Sequence, residues 1–87
     1  MVKALNKTLV IYTKDKSDVI SKVFGVIRRQ DYVIENVLVN RNENSTLLII
    51  ITVKESISNL PFEYLIKQIE KLIDVTGVLC ELNNNRN

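Results

Sequence analysis

The spacing of the apolar residues switches repeatedly along the chain, and this succession most constrains the fold. An alternating pattern typical of strands gives way near Ser17, and again near Leu60, to the three- and four-residue spacing typical of helices. A polar turn, RNENS at 41–45, separates two strand-like segments. The predicted elements are a strand over 7–13, a helix over 17–30, strands over 32–41 and 45–54, a helix over 60–73 and a strand over 75–82.

This β-α-β-β-α-β order predicts an α+β, ferredoxin-like fold, with a four-stranded antiparallel sheet and two helices on one face. Because crossover connections are right-handed, the first and third strands should lie in the middle of the sheet. The third strand, Thr46 to Val53, is the most apolar, which agrees with a central place. Residues 1–87 should form a single domain, with a core over about 7–82 and a frayed polar tail over 83–87.

Each predicted helix has an apolar face and a candidate cap. Asp15 or Ser17 is placed to cap the first helix, and Asp18 suits the positive end of its dipole. Asn59 is placed to cap the second, with Pro61 in the first turn, where a missing N–H is tolerated. The faces comprise Val19, Ile20, Val23, Phe24, Val26 and Ile27 in the first helix, and Phe62, Leu65, Ile66, Ile69, Leu72 and Ile73 in the second.

Charge, cysteine content and the absence of histidine exclude several classes of function. A net charge of +2 is too small to argue for nucleic acid or an anionic membrane, and the longest apolar run, Leu47 to Ile51, cannot cross a bilayer. Without histidine there is no histidine metal site and no Cys–His or Ser–His nucleophile. We therefore expect no catalytic residue, no metal and no cofactor. The single Cys80 and the lack of an apolar leader predict a cytoplasmic protein.

The first strand-to-helix join, KDKSD at 14–18, lacks the signatures of other activities that share this element order. It has no paired cysteines for copper and no arginine to cradle a phosphate, and the third strand has no aromatics for stacking RNA bases. Asp15 and Asp18 could be interpreted as a metal site or an acid/base pair. Their place at a helix start explains both, and the flanking Lys14 and Lys16 disfavour a cation.

Two segments resemble a known family. "VFGVIRRQDYVIENVLV" (23–39) and "QIEKLIDVTGV" (68–78) are similar to the regulatory small subunit of acetolactate synthase (acetohydroxyacid synthase), whose N-terminal module is an ACT domain. The likeness extends over about residues 7–82, and the second segment is the more specific. The matched residues are Tyr32, Ile34, Glu35, Gln68, Ile69, Lys71, Leu72, Asp74, Val75 and Val78.

The resemblance implies a non-catalytic regulatory subunit of branched-chain amino acid biosynthesis. Such a subunit binds and activates a thiamine-diphosphate-dependent catalytic subunit and transmits feedback inhibition by a branched-chain amino acid, usually valine. A free-standing ACT module that senses an amino acid and regulates another enzyme or regulator is the alternative.

The resemblance implies an effector site at an interface between two ACT domains, with an Asn and a Gly in the first join and an Asn near the start of the second strand. The resemblance aligns these positions with Asp15, Asp18 and Val33, and all three depart from the pattern. Asp18 places negative charge where an amino-acid carboxylate should dock, so valine should bind weakly or not at all. An effector with a cationic group, bound by the two aspartates, is the alternative. The neighbouring effector candidates are Ser17, Val19 and Ile34.

Two surfaces are candidates for association. The third strand, TLLIIITV, is apolar on both faces, which predicts either a weakly patterned strand or an outer sheet face covered by another sheet or by the catalytic subunit. A homodimer or larger oligomer is therefore expected. The matched residues of the second helix and its exit should contact the catalytic subunit, away from the effector join. The candidates are Leu38, Leu48, Ile50, Gln68, Lys71 and Asp74.

Overall fold

The computed structural model describes residues 6–54 and 61–83, with side chains described for 6–54 and 61–80. Its element order is the predicted one: β1 (Asn6–Lys14), α1 (Val19–Arg29), β2 (Val33–Arg41), β3 (Thr46–Lys54), α2 (Phe62–Glu70) and β4 (Val75–Asn83). Asn83, predicted to begin the frayed tail, belongs to β4, and the rest of the predicted tail lies outside the described residues.

The strands form one sheet in the order β2-β3-β1-β4, and every neighbouring pair is antiparallel. The prediction that the first and third strands are central is therefore confirmed. Because β1 and β2 are both antiparallel to β3, they run in the same direction. The two strands consequently begin at one end of the sheet and finish at the other.

The core lies between the helices and one face of the sheet. Alternate residues of β3 are fully buried, because every second side chain points toward the helices. Both helices contribute to the same cluster, so they cover the same face. The buried cluster comprises Leu9, Ile11, Val19, Val23, Val26, Ile27, Tyr32, Leu47, Ile49, Ile51, Val53, Leu65 and Ile69.

The start of α1 differs from the prediction. Asp18, not Asp15 or Ser17, occupies the N-cap position, and its side chain makes no capping hydrogen bond. The carbonyl of Asp18 instead accepts hydrogen bonds from the Lys22 N–H (3.1 Å) and the Ser21 hydroxyl (3.0 Å). The carboxylate of Asp15 is unavailable for capping because it binds an arginine, as described below.

The bounds of α2 also differ. The helix begins at Phe62 with Pro61 at its N-cap position, and the predicted cap Asn59 lies outside the described residues. It ends at Glu70, where the Leu72 N–H bonds the Ile69 carbonyl (3.0 Å) in a tighter turn. This turn carries Ile73 away from the apolar face, leaving it 86% exposed, so its predicted place on the helix face is wrong. Within the described residues, no helix is long and apolar enough to cross a membrane.

Candidate functional site

The join between β1 and α1 is held by backbone hydrogen bonds to two other parts of the chain. The Lys14 N–H donates to the Asp74 carbonyl (2.9 Å), just before β4. The Asp15 N–H donates to the Ser45 carbonyl (3.0 Å), in the turn before β3. The join is therefore fixed between the β2–β3 hairpin and the exit of α2.

Asp15 is engaged by an arginine at the end of β2. The Arg41 Nε donates to Oδ2 at 2.6 Å and Nη2 donates to Oδ1 at 3.3 Å, a two-point contact that fits a planar guanidinium to a carboxylate. The hydrogen bond from Arg41 lowers the pKa of Asp15 below its usual value, and the same bond raises the pKa of Arg41. Asp15 is therefore a paired carboxylate whose charge is offset within the chain.

Asp18 is more exposed and is paired along its own helix. Its carboxylate lies 3.2 Å from the Lys22 ammonium in an i,i+4 pair, with 56% of the side chain exposed. Its backbone has φ −110°, a conformation open to any residue, so the fold itself does not require a glycine here. The Val19 N–H already donates to the Lys16 carbonyl (3.3 Å), which removes one donor from the helix start.

The effector candidates of one chain do not come together. Asp15, Ser17, Asp18 and Val19 surround the β1–α1 join, whereas Val33 and Ile34 begin β2 at the opposite end of the sheet. Val33 and Asn6 both pair with Lys54, the last residue of β3, so they lie at the same level of the sheet. Along β1, Asn6 is eight residues from Lys14. At about 3.3 Å per residue the two groups are about 26 Å apart. Any site that uses both groups must combine two chains.

The candidates also differ in how accessible they are. Val19 is 1% exposed and belongs to the core, so its side chain cannot contact an effector. Ser17 is exposed. Val33 is 56% exposed and, with Arg28, Tyr32 and Ile34, lines a shallow depression of about 350 Å³.

The candidate contacts for a catalytic subunit in segment 68–78 differ in their exposure. Lys71 is exposed just after α2, and Gln68 is half-buried. Asp74 is half-buried, and its carbonyl binds the Lys14 N–H. The expectation that this segment lies away from the join is therefore wrong at Asp74. The turn after α2 brings the chain back beside the end of β1.

Arg41 is the residue that sequence reasoning missed. It was predicted only as part of a polar turn, although its guanidinium hydrogen-bonds the Asp15 carboxylate of the join. The parallel course of β1 and β2 was the available signal, since the ends of both strands must lie at the same end of the sheet. Among the described residues, no three acidic or cysteine side chains cluster as metal ligands would.

The element order, strand order and single helical layer define the chain as a ferredoxin-like α+β domain. Residues 15–78 match the model of the ACT domain family, and the chain belongs to that family. It is an ACT regulatory domain. No curated protein sequence matches the chain.

Solved structures show the same fold at low sequence identity. The ACT domain from GTP pyrophosphokinase of Chlorobium tepidum has a TM-score of 0.74 at 16% identity, covering 91% of this chain and 100% of that one. An ACT domain protein from Streptococcus pneumoniae has a TM-score of 0.73 at 18% identity, covering 93% and 92%. A formyltetrahydrofolate deformylase from Pseudomonas syringae pv. tomato str. DC3000 has a TM-score of 0.78 at 10% identity, covering 97% of this chain and 29% of that one.

Proposed function

We propose that this ACT domain is the non-catalytic regulatory subunit of an acetolactate synthase, which it binds and activates. The observation that carries the proposal is the segment 68–78, whose residues match that family's small subunit beyond what an amphipathic helix requires. Lys71 is exposed on this segment and available to a partner. The proposal includes a cytoplasmic location, because a single cysteine suits a reducing compartment.

The structure offers a route by which such a partner contact and the effector join could influence each other. The carbonyl of Asp74 belongs to the proposed partner segment, and the N–H of Lys14 belongs to the end of β1. Because a 2.9 Å hydrogen bond joins them, we expect a shift of the join to move the exit of α2 as well. This direct bond supports coupling between an effector site and a catalytic subunit.

A complete effector site would need two chains. Among the described strands β2 pairs only with β3, so its other edge is open to a second chain. If two β2 strands paired antiparallel about Val37, Val33 of one chain would lie opposite Arg41 of the other. Arg41 holds Asp15, so this pairing would bring the two halves of the family's site together.

Valine should bind weakly at this site, and the repulsion comes from Asp18 rather than Asp15. The negative charge of Asp15 is offset by Arg41, whereas Asp18 forms a solvent-exposed ion pair with Lys22. A like charge at about 4 Å in a water-like environment costs about 1 kcal/mol, roughly a fivefold loss in affinity. Because Arg41 already pairs with Asp15, an effector with a cationic group would have Asp18 rather than both aspartates to bind.

Binding to the catalytic subunit is the test. Purified acetolactate synthase catalytic subunit from the same source should co-elute with the chain on a sizing column at micromolar concentrations. Lys71→Ala should weaken co-elution, because it removes an exposed matched residue. Lys67→Ala, at an exposed position one turn earlier on α2, is the matched control and should bind normally. Failure of the unaltered chain to co-elute would leave a free-standing ACT module that regulates another enzyme.

A further inference from the structure

The sheet surface turned away from the helices, here called the open face, carries a row of apolar side chains that crosses all four strands. The strand registers place Leu79 beside Val10, Val10 beside Ile50, and Ile50 beside Leu38. Leu79 and Leu38, at the two ends, are 56% and 55% exposed, and the inner two residues are half-buried. An antiparallel sheet with one face in water normally presents polar residues there.

The rows on either side contain no charged residue on β1, β3 and β2, and on β4 the register ends them at Gly77 and Glu81. One contains Tyr12, Leu48 and Asn40, in which the tyrosine is 42% exposed. The other contains Thr8, Thr52 and Asn36, whose two threonine hydroxyls lie 3.3 Å apart. On these three strands, charge on the open face is confined to its ends, with Lys14 at one end and the Lys54–Glu35 ion pair at the other.

This distribution suits a second copy of the same chain. When a surface meets itself, each charge on it risks an equal charge opposite, which is unfavourable. The three central rows of the open face avoid this on β1, β3 and β2, and no ion on those strands has to be stripped of water at the centre of the contact. Its apolar row can lie across the same row of a partner, with the two sheets about 10 Å apart.

The area of the open face approaches the lower limit for a specific interface. Four strands of nine residues form a surface about 19 Å wide and about 30 Å long. The flat area is about 570 Å² per copy and about 1,100 Å² for two copies, close to the ~1,200 Å² at which specific interfaces begin. Side-chain relief adds to this flat value.

We infer that two copies of the chain pack open face to open face. The contact is separate from the edge of β2, so the inference does not rest on the proposed function. Leu38 and Leu79 lie on opposite edge strands, β2 and β4, and in the same row. A face contact needs both residues, whereas a contact through the edge of β2 would not involve Leu79.

Light scattering at tens of micromolar tests the inference on the full chain. The unaltered protein should be a dimer or a multiple of one, and Leu38→Lys and Leu79→Lys should each halve its mass by placing like charges in the contact. Ile73→Lys is the matched control, because Ile73 is 86% exposed and lies off the open face, and its mass should not change. A monomeric unaltered protein, or a Leu79→Lys variant of unchanged mass, would overturn the inference.

A second measurement needs no substitution. In the unaltered protein the methyl NMR signals of Leu38 and Leu79 should be shielded from a soluble paramagnetic probe, while those of Ile73 are broadened. All three residues are exposed in a single chain, so equal broadening would overturn the face contact even if a lysine variant failed to fold.

Discussion

Thr13 gives a quantitative test of the packing at the end of β1. Its side chain is 1% exposed, and its hydroxyl oxygen is buried without a hydrogen-bond partner. Thr13 follows the buried Ile11 on the same face and pairs with Leu47 and Val75 on the neighbouring strands. Burying a hydroxyl without a partner costs about 1–3 kcal/mol. Thr13→Val keeps the shape and the β-branch, so it should raise the free energy of unfolding by about 1–2 kcal/mol.

Urea unfolding measures this change directly, and thermal unfolding should show a rise of about 4–8 °C for each kcal/mol in a domain of this size. Thr76→Val is the matched control, because Thr76 is exposed and its hydroxyl donates to the Tyr12 carbonyl at 3.0 Å. The control should be neutral or less stable, since it loses that bond. If Thr13→Val proved no more stable than the unaltered protein, the hydroxyl would have a partner and the reasoning would be wrong.

Three further predictions concern the join and the second helix. Arg41→Ala should lower the free energy of unfolding at neutral pH, because a carboxyl whose pKa is lowered in the folded state stabilises the fold above its unfolded-state pKa. The loss should disappear as the pH falls through the lowered pKa of Asp15. Urea unfolding across pH would contradict this if the difference between variant and unaltered protein stayed constant. Asp18→Gly with Val33→Asn should create or strengthen valine binding in calorimetry, whereas sub-millimolar binding by the unaltered chain would refute the charge argument. Ile69→Ala should lower the free energy of unfolding in urea by about 2–5 kcal/mol, because Ile69 is 0% exposed. Ile73→Ala should lower it by less than about 0.5 kcal/mol, because Ile73 is 86% exposed. Similar losses for the two variants would contradict the observed end of α2.

The fold was predictable because the apolar spacing and the topology rules act together. The alternation of buried residues in β3 follows from the period of a strand, and right-handed crossovers place β1 beside β3. The open face was also anticipated, since Leu38, Leu48 and Ile50 share the outward parity. The end of α2 was not, because Ile73 continues the helical spacing in sequence while the hydrogen bonds have already tightened into a turn.

The site was only partly predictable because its contacts are distant in sequence. Asp15 and Arg41 are 26 residues apart, and nothing local in either segment indicates the pair. The bond between Lys14 and Asp74 likewise depends on how β4 pairs with β1. The antiparallel pairings set Val33 and the join at opposite ends of the sheet in one chain, so the two can meet only across an interface between two ACT domains, where the resemblance places the effector.

The rate of acetolactate formation measures the proposed regulatory role. Purified catalytic subunit from the same source would be assayed with increasing amounts of this chain, with and without valine. We expect a rate that rises and saturates as the chain is added and that sub-millimolar valine does not reverse. No rise at saturating chain would contradict the regulatory role, and a rise fully reversed by sub-millimolar valine would contradict weak valine binding at the β1–α1 join.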